Sequence, residues 1–180
     1  MKPFPIEVFH YTLQVAYERM QSEQSGILPL RQIGKLSTRH YFTDPKGRAV
    51  FAHLEPKPKN WMQNEEFPNS WKRFVDYLTG CSDRSDSPIV LLKFSLNATD
   101  EAYVVDRGII EKHFDNGDPG VHSKSIEDYL KSKIPVDKYN ETHSLPEVVI
   151  GHLIGHERLN LVQTVSKEEL LETIAYRQVL

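Results

Sequence analysis

The run Ile89-Val90-Leu91-Leu92-Lys93-Phe94-Ser95-Leu96 sets the first limit on what this chain can fold into. It is nearly unbroken in its apolar character, so it reads as a strand covered on both faces and placed centrally in a sheet. Such a strand needs neighbours, and residues 6–11, 41–43, 102–105, 147–154 and 159–165 read as further strands. Helical spacing runs over 13–23, with Leu13, Ala16, Tyr17 and Met20 on one face, and over 69–78, with Trp71, Phe74, Val75 and Leu78. Gly26 and Gly80 supply the stops. Residues 125–133 read as a short helix, and Ser166 with Glu169 makes a capping box for a terminal helix through Tyr176. The Pro- and Lys-rich stretch 46–66 reads as a short helix followed by a long ordered loop, while 81–88 and 115–120 read as surface turns. Strands outnumber helices and come in hairpin-like succession, which predicts an α+β fold and not a strict alternation of strand and helix.

Composition narrows the class. A length of 180 residues predicts one domain over 1–180, and 39% hydrophobic with 26% charged residues describes an ordinary globular chain. No apolar run approaches the roughly 20 residues that span a bilayer, so no membrane is expected as a partner. The opening Met1-Lys2-Pro3-Phe4-Pro5 lacks the apolar stretch of a secretory signal, and Cys81 is the single cysteine. Both predict a cytoplasmic location. A net charge of −3 excludes a global basic field for holding nucleic acid. Lys57, Lys59, Lys72 and Arg73, interleaved with Trp61 and Trp71, leave a local surface for nucleic acid or protein as an option beside the ordinary solvated face.

Three distant fragments carry the functional signal: Phe9-His10-Tyr11-Thr12, Tyr41-Phe42-Thr43-Asp44 and Pro146-Glu147-Val148-Val149-Ile150. Each sets a polar residue at the start or end of an apolar strand. An imidazole, an aromatic face and a carboxylate in one cleft suit a dinucleotide and chemistry at its sugar. His152 and His156 have the i, i+4 spacing of a helical zinc site, but Gly151 and Gly155 among apolar β-type neighbours point to a strand and turn. Residues four apart on a strand lie some ~13 Å from each other, so no metal is expected.

Strand-His10-Tyr11-Thr12-helix, then Tyr41-Phe42-Thr43-Asp44, then Glu147-Val148-Val149-Ile150 with Ile154 and Arg158 soon after, resembles the diphtheria-toxin and poly(ADP-ribose) polymerase branch of the ADP-ribosyltransferases. It looks closest to small toxin-like bacterial members with a His-Tyr-Thr opening. The resemblance implies a split antiparallel β-sheet core with flanking helices, with NAD as the substrate. It implies that His10 hydrogen-bonds a ribose, that the backbone of Tyr11 pairs with the carboxamide, and that Thr12 helps fix the sugar. Tyr41 would stack on the nicotinamide, Phe51 would offer a second aromatic, and Glu147 would contact the ribose hydroxyl and polarise the departing glycosidic bond. The implied activity is mono-ADP-ribosyl transfer to a macromolecular acceptor, protein or nucleic acid, or to water. Tyr11 stands where many polymerases have Gly, a mark of the toxin-like subtype. Leu145, two before Glu147, lacks the Glu or Gln of arginine-directed transfer. The alternative is a non-catalytic nucleotide- or protein-binding module that keeps the fold; phosphate removal from RNA needs a set of arginines that the sequence does not place.

Overall fold

The computed structural model describes residues 2–27, 32–33, 36–37, 49–80, 87–115 and 123–175. Tyr41-Phe42-Thr43-Asp44, Cys81 and the 116–120 part of the expected turn lie outside them. In chain order the elements are β1 (Ile6–Leu13), α1 (Gln14–Glu23), β2 (Gln32–Ile33), β3 (Leu36–Ser37), β4 (Val50–Ala52), α2 (Lys59–Met62) and α3 (Ser70–Gly80). There follow β5 (Ile89–Leu96), β6 (Ala102–Asp106), α4 (Gly108–Asp115), α5 (Ser123–Lys131), β7 (Ile134–Pro135), β8 (Pro146–Ile150), β9 (Asn160–Val165) and α6 (Lys167–Ala175). The fold is mixed, with two principal antiparallel sheets and several helices, and agrees with the α+β class.

Burial on both faces puts β5 at the centre of the first sheet, in the order β1-β5-β9. Val90, Leu92 and Phe94 face the second sheet, β4-β8-β6-β7, where Val50, Ala52, Val104, Val148 and Ile150 meet them. Ile89 and Leu91 face the other way, against Trp71 and Val75 of α3 and Leu170 of α6. The outer face of the second sheet, Val105 and Val149, is covered by Ile110 of α4 and Tyr129 of α5. α3, α4, α5 and α6 are thus each held by apolar residues turned to a sheet. The capping box at the last helix forms in both directions, Ser166 N to Glu169 Oε2 at 2.7 Å and Glu169 N to Ser166 Oγ at 3.1 Å.

Pairing departs from the hairpin-like succession read in the sequence. β5 and β6 are consecutive but belong to different sheets, and every neighbour pair in the first sheet is distant along the chain. Burial of alternate faces, not turn chemistry, decides who pairs with whom. The 97–101 turn that parts β5 from β6 is tied down by Arg158, whose guanidinium meets Asp100 at 2.6 Å. Two further readings are corrected. Val50–Ala52 forms a strand, not part of a helix, because its apolar pair fills the gap beside β8, and the short helix comes later at Lys59–Met62. The strand predicted over 147–154 ends at Ile150, after which the chain turns and Ile154 makes an isolated bridge to Ile27.

That bridge depends on Gly26, whose φ is +81° and whose added Cβ would stand 2.1 Å from the Ile154 carbonyl oxygen. An L side chain in this left-handed region costs about 1–3 kcal/mol, and the backbone clash adds to it. Gly26→Ala is expected to lower the Tm by about 5 °C or more, read by thermal unfolding. An unchanged Tm would show that the 26–27 segment moves freely off residues 154–156.

Candidate active site

The two sheets join through one residue pair and then part. Phe9 N donates to His53 O at 2.8 Å and His53 N to Phe9 O at 2.7 Å, so β4 touches β1 there while pairing with β8 on its other edge. Strand alternation turns the amide and carbonyl of Tyr11 to the same edge as those of Phe9, toward the gap that opens between β1 and β4. His10 wedges that gap. Its Nδ1 lies 2.6 Å from the Phe51 carbonyl oxygen, which accepts only if Nδ1 carries the proton, leaving Nε2 as a lone-pair acceptor. Burial holds the His10 pKa below the usual imidazole range, with the Phe51 contact opposing, so the neutral tautomer persists.

A cavity of about 700 Å³ occupies the gap, within the range of ligand pockets. One wall is β1 and α1, with Thr12, Ala16 and Met20; another is α3, with Ser70, Arg73, Phe74 and Tyr77. Phe51 and Val50 come from β4, Arg107 and Glu111 from the start of α4, and Glu147 from β8. His10, Tyr11, Thr12, Phe51 and Glu147 therefore line one cavity. Tyr41, expected to stack on a planar ring, lies outside the described residues. Phe51 instead holds an aromatic place on β4, opposite Val149 and beside the strand end that carries Glu147. The Tyr11 side chain turns away into the core, 3% exposed, with its hydroxyl donating to the Pro56 carbonyl. Only its backbone addresses the gap.

Glu147 is buried at 6% exposure, and its Oε2 accepts the Tyr129 hydroxyl at 2.9 Å. Burial pushes its carboxyl above the ordinary range and the Glu111 charge adds to this; the Arg107 charge and the Tyr129 hydrogen bond oppose it. Glu111 is itself buried and bonded to two arginines, Arg73 Nη2 at 2.7 Å and Arg107 Nε at 3.1 Å. Arg107 thereby serves two acids of the cavity lining, bonded to Glu111 and favouring the charge on Glu147.

Four residues pin the approach to Glu147. Asp106 Oδ1 accepts Gly108 N at 2.9 Å and Leu145 N at 3.1 Å, and its Oδ2 accepts Ser144 N at 3.2 Å. Arg107 N donates to Leu145 O at 2.9 Å. Trp61 Nε1 donates to Pro146 O at 2.9 Å, and Asn64 Nδ2 to Ser144 O at 3.0 Å. Asp106 is thus the joint between the turn that presents Arg107 and the strand that presents Glu147.

No spacing in the sequence marks Arg107, Glu111, Tyr129 or His53, and Arg73 is read there only as part of the Lys and Trp set. The Lys and Trp set does not interleave on one surface: Trp71 is fully buried, Trp61 is 4% exposed, and Arg73 turns in to Glu111. His152 stands 3.0 Å from Asp100 and His156 3.5 Å from Glu157. Among the described residues no group of three or more His, Cys, Asp or Glu is placed to hold a metal, and no helix is long and apolar enough to cross a membrane. No protein-family model, curated protein or solved structure matches the chain.

Proposed function

We propose that the cavity binds NAD and that the protein is an ADP-ribosyltransferase-like enzyme, cleaving the nicotinamide–ribose bond and passing ADP-ribose to a macromolecule or to water. The observation that carries this reading is the convergence of His10, the Tyr11 backbone edge, Phe51 and the buried Glu147 on one cavity where two antiparallel sheets part. The Tyr11 amide and carbonyl suit a carboxamide, which needs one donor and one acceptor on the same edge. The His10 Nε2 lone pair and the Thr12 hydroxyl suit ribose hydroxyls, and Phe51 gives a flat apolar face to the pyridine ring. These are positioning effects.

Bond cleavage develops positive charge on the ribose. A Glu147 carboxylate in a site shielded from water favours that charge far more than it would in solution. Tyr129 fixes one carboxylate oxygen, and Arg107 favours the ionised form. The ionised form is the working one, so activity is expected to rise with pH along an acid limb above the ordinary glutamate range of about 4.3. Removing the opposing charge in Arg107→Gln moves that limb further up, measurable in kcat/KM profiles. A limb at the ordinary range, unmoved in the variant, would separate Glu147 from the reaction.

Incubation with NAD labelled in the nicotinamide and in the adenylate, scoring free nicotinamide and labelled acceptor separately, tests the function. Release with transfer marks a transferase, and release without transfer marks a hydrolase. NAD that binds without release marks the non-catalytic module.

A further inference from the structure

We propose that His53 is a ligand-contacting residue of the cavity, its Nε2–H donating to the carboxamide oxygen of the nicotinamide ring beside the Tyr11 amide. This rests on the reading of the cavity as an NAD site.

His53 is 3% exposed, and its ring lines the cavity. The rings of Trp61 and Phe74 meet it edge-on at 5.2 Å and that of Tyr11 at 6.0 Å, and its Nδ1 is enclosed with no hydrogen-bond partner. Its backbone is already satisfied by Phe9. A phenylalanine would fill the same aromatic nest without a desolvated nitrogen, so packing alone gives no reason for an imidazole. Orphaned N–H groups are rarer in proteins than orphaned acceptors, which makes the enclosed Nδ1 the lone pair and puts the proton on Nε2. Burial, with a smaller contribution from His10, pushes the His53 pKa down to about 3, so the ring is neutral at working pH and contributes a hydrogen bond, not a charge.

The placement fits one ligand group. His53 lies two residues from Phe51 on the same face of the chain, and its backbone partner Phe9 lies two residues from Tyr11. Carrying the β4–β8 register one pair beyond Ala52↔Val148 sets His53 opposite Glu147. A carboxamide oxygen has two lone pairs, and the Tyr11 edge offers one N–H and one carbonyl. With the oxygen seated against this lining, one lone pair is left over for a second donor. His53 supplies it.

The test compares inhibition of NAD cleavage by nicotinamide and by 3-methylpyridine, the same ring without the carboxamide, in wild type, His53→Phe and His53→Gln. His53→Phe is expected to weaken nicotinamide inhibition about tenfold or more while leaving 3-methylpyridine unchanged, and His53→Gln, which keeps an N–H donor, to retain most of the discrimination. Equal loss for both inhibitors would make His53 a packing residue and overturn the proposal. In the wild type, where folding is not at issue, the imidazole 15N signals of His53 are expected to shift with nicotinamide and to stay in place with 3-methylpyridine. No shift with nicotinamide overturns the assignment while NAD cleavage stands. Absence of nicotinamide release by a wild type that still binds NAD overturns the catalytic reading and leaves the 15N test of His53 in force; failure of the wild type to bind NAD overturns the NAD site, and the role of His53 with it.

Discussion

Glu147→Gln is expected to lower nicotinamide release by about 10²–10³-fold, the usual cost of losing a group that stabilises transition-state charge in a closed site. The NAD KM should change little, because the interaction strengthens only as the glycosidic bond breaks. Glutamine keeps the shape and an oxygen for the Tyr129 hydroxyl, so the loss isolates the charge. The same variant has an opposite effect on stability. In the folded protein the Glu147 pKa is raised, so between the unfolded value of about 4.3 and the folded value the native state binds more protons, and stability falls as pH rises through that window. Glu147→Gln removes this loss. It is expected to unfold at a higher temperature than wild type at neutral pH, with the gap closing as pH falls toward the unfolded pKa. A variant that is both inactive and less stable at neutral pH would make Glu147 a structural acid. Affinity falling as far as rate would make it a binding group only.

Asp106→Ala should do the second largest damage although Asp106 does not line the cavity. It removes the acceptor for three backbone N–H groups, those of Gly108, Ser144 and Leu145. Each orphaned amide costs about 1–3 kcal/mol when buried, and water offsets part of this because the site is only half buried. A loss near 3 kcal/mol is expected in urea unfolding. The variant also frees the turn carrying Arg107 from the strand carrying Glu147, so kcat should fall about tenfold or more in the folded fraction with NAD KM little changed. The acid limb of the pH profile should move up, because Arg107 no longer holds its place beside Glu147. Asp106→Asn keeps an acceptor oxygen and should recover part of both effects. Loss of stability with kcat and pH profile intact would limit Asp106 to folding.

The sequence made some of this legible for clear physical reasons. β5 announces itself because burial on both faces demands apolar residues at nearly every position. The capping box at Ser166 and Glu169 is a local code, and it forms as read. His10, Thr12 and Glu147 stand out as polar residues at the ends of apolar strands, and the structure brings them to one cavity. Val50–Ala52 did not stand out, since three residues flanked by lysines and prolines carry no period, yet this strand joins the two sheets. α4 was missed for a related reason: its eight residues open on Gly108 beside a dense turn. The arginine and acid cluster was hidden more deeply. Arg73 and Glu111 belong to two helices and Arg107 to the turn before the second, and only tertiary packing makes a charged residue on α3 the partner of a buried acid on α4. His53 reads as one more polar residue in a Pro-rich stretch until its ring is found among aromatic neighbours.

The most direct measurement is a crystal structure of the protein with a non-hydrolysable NAD analogue. The pyridine ring is expected between the Tyr11 backbone edge and Phe51, the ribose within hydrogen-bonding reach of His10, and its anomeric carbon turned toward Glu147. An analogue seated elsewhere on the chain, or in this cavity with its ribose turned away from Glu147, would contradict it.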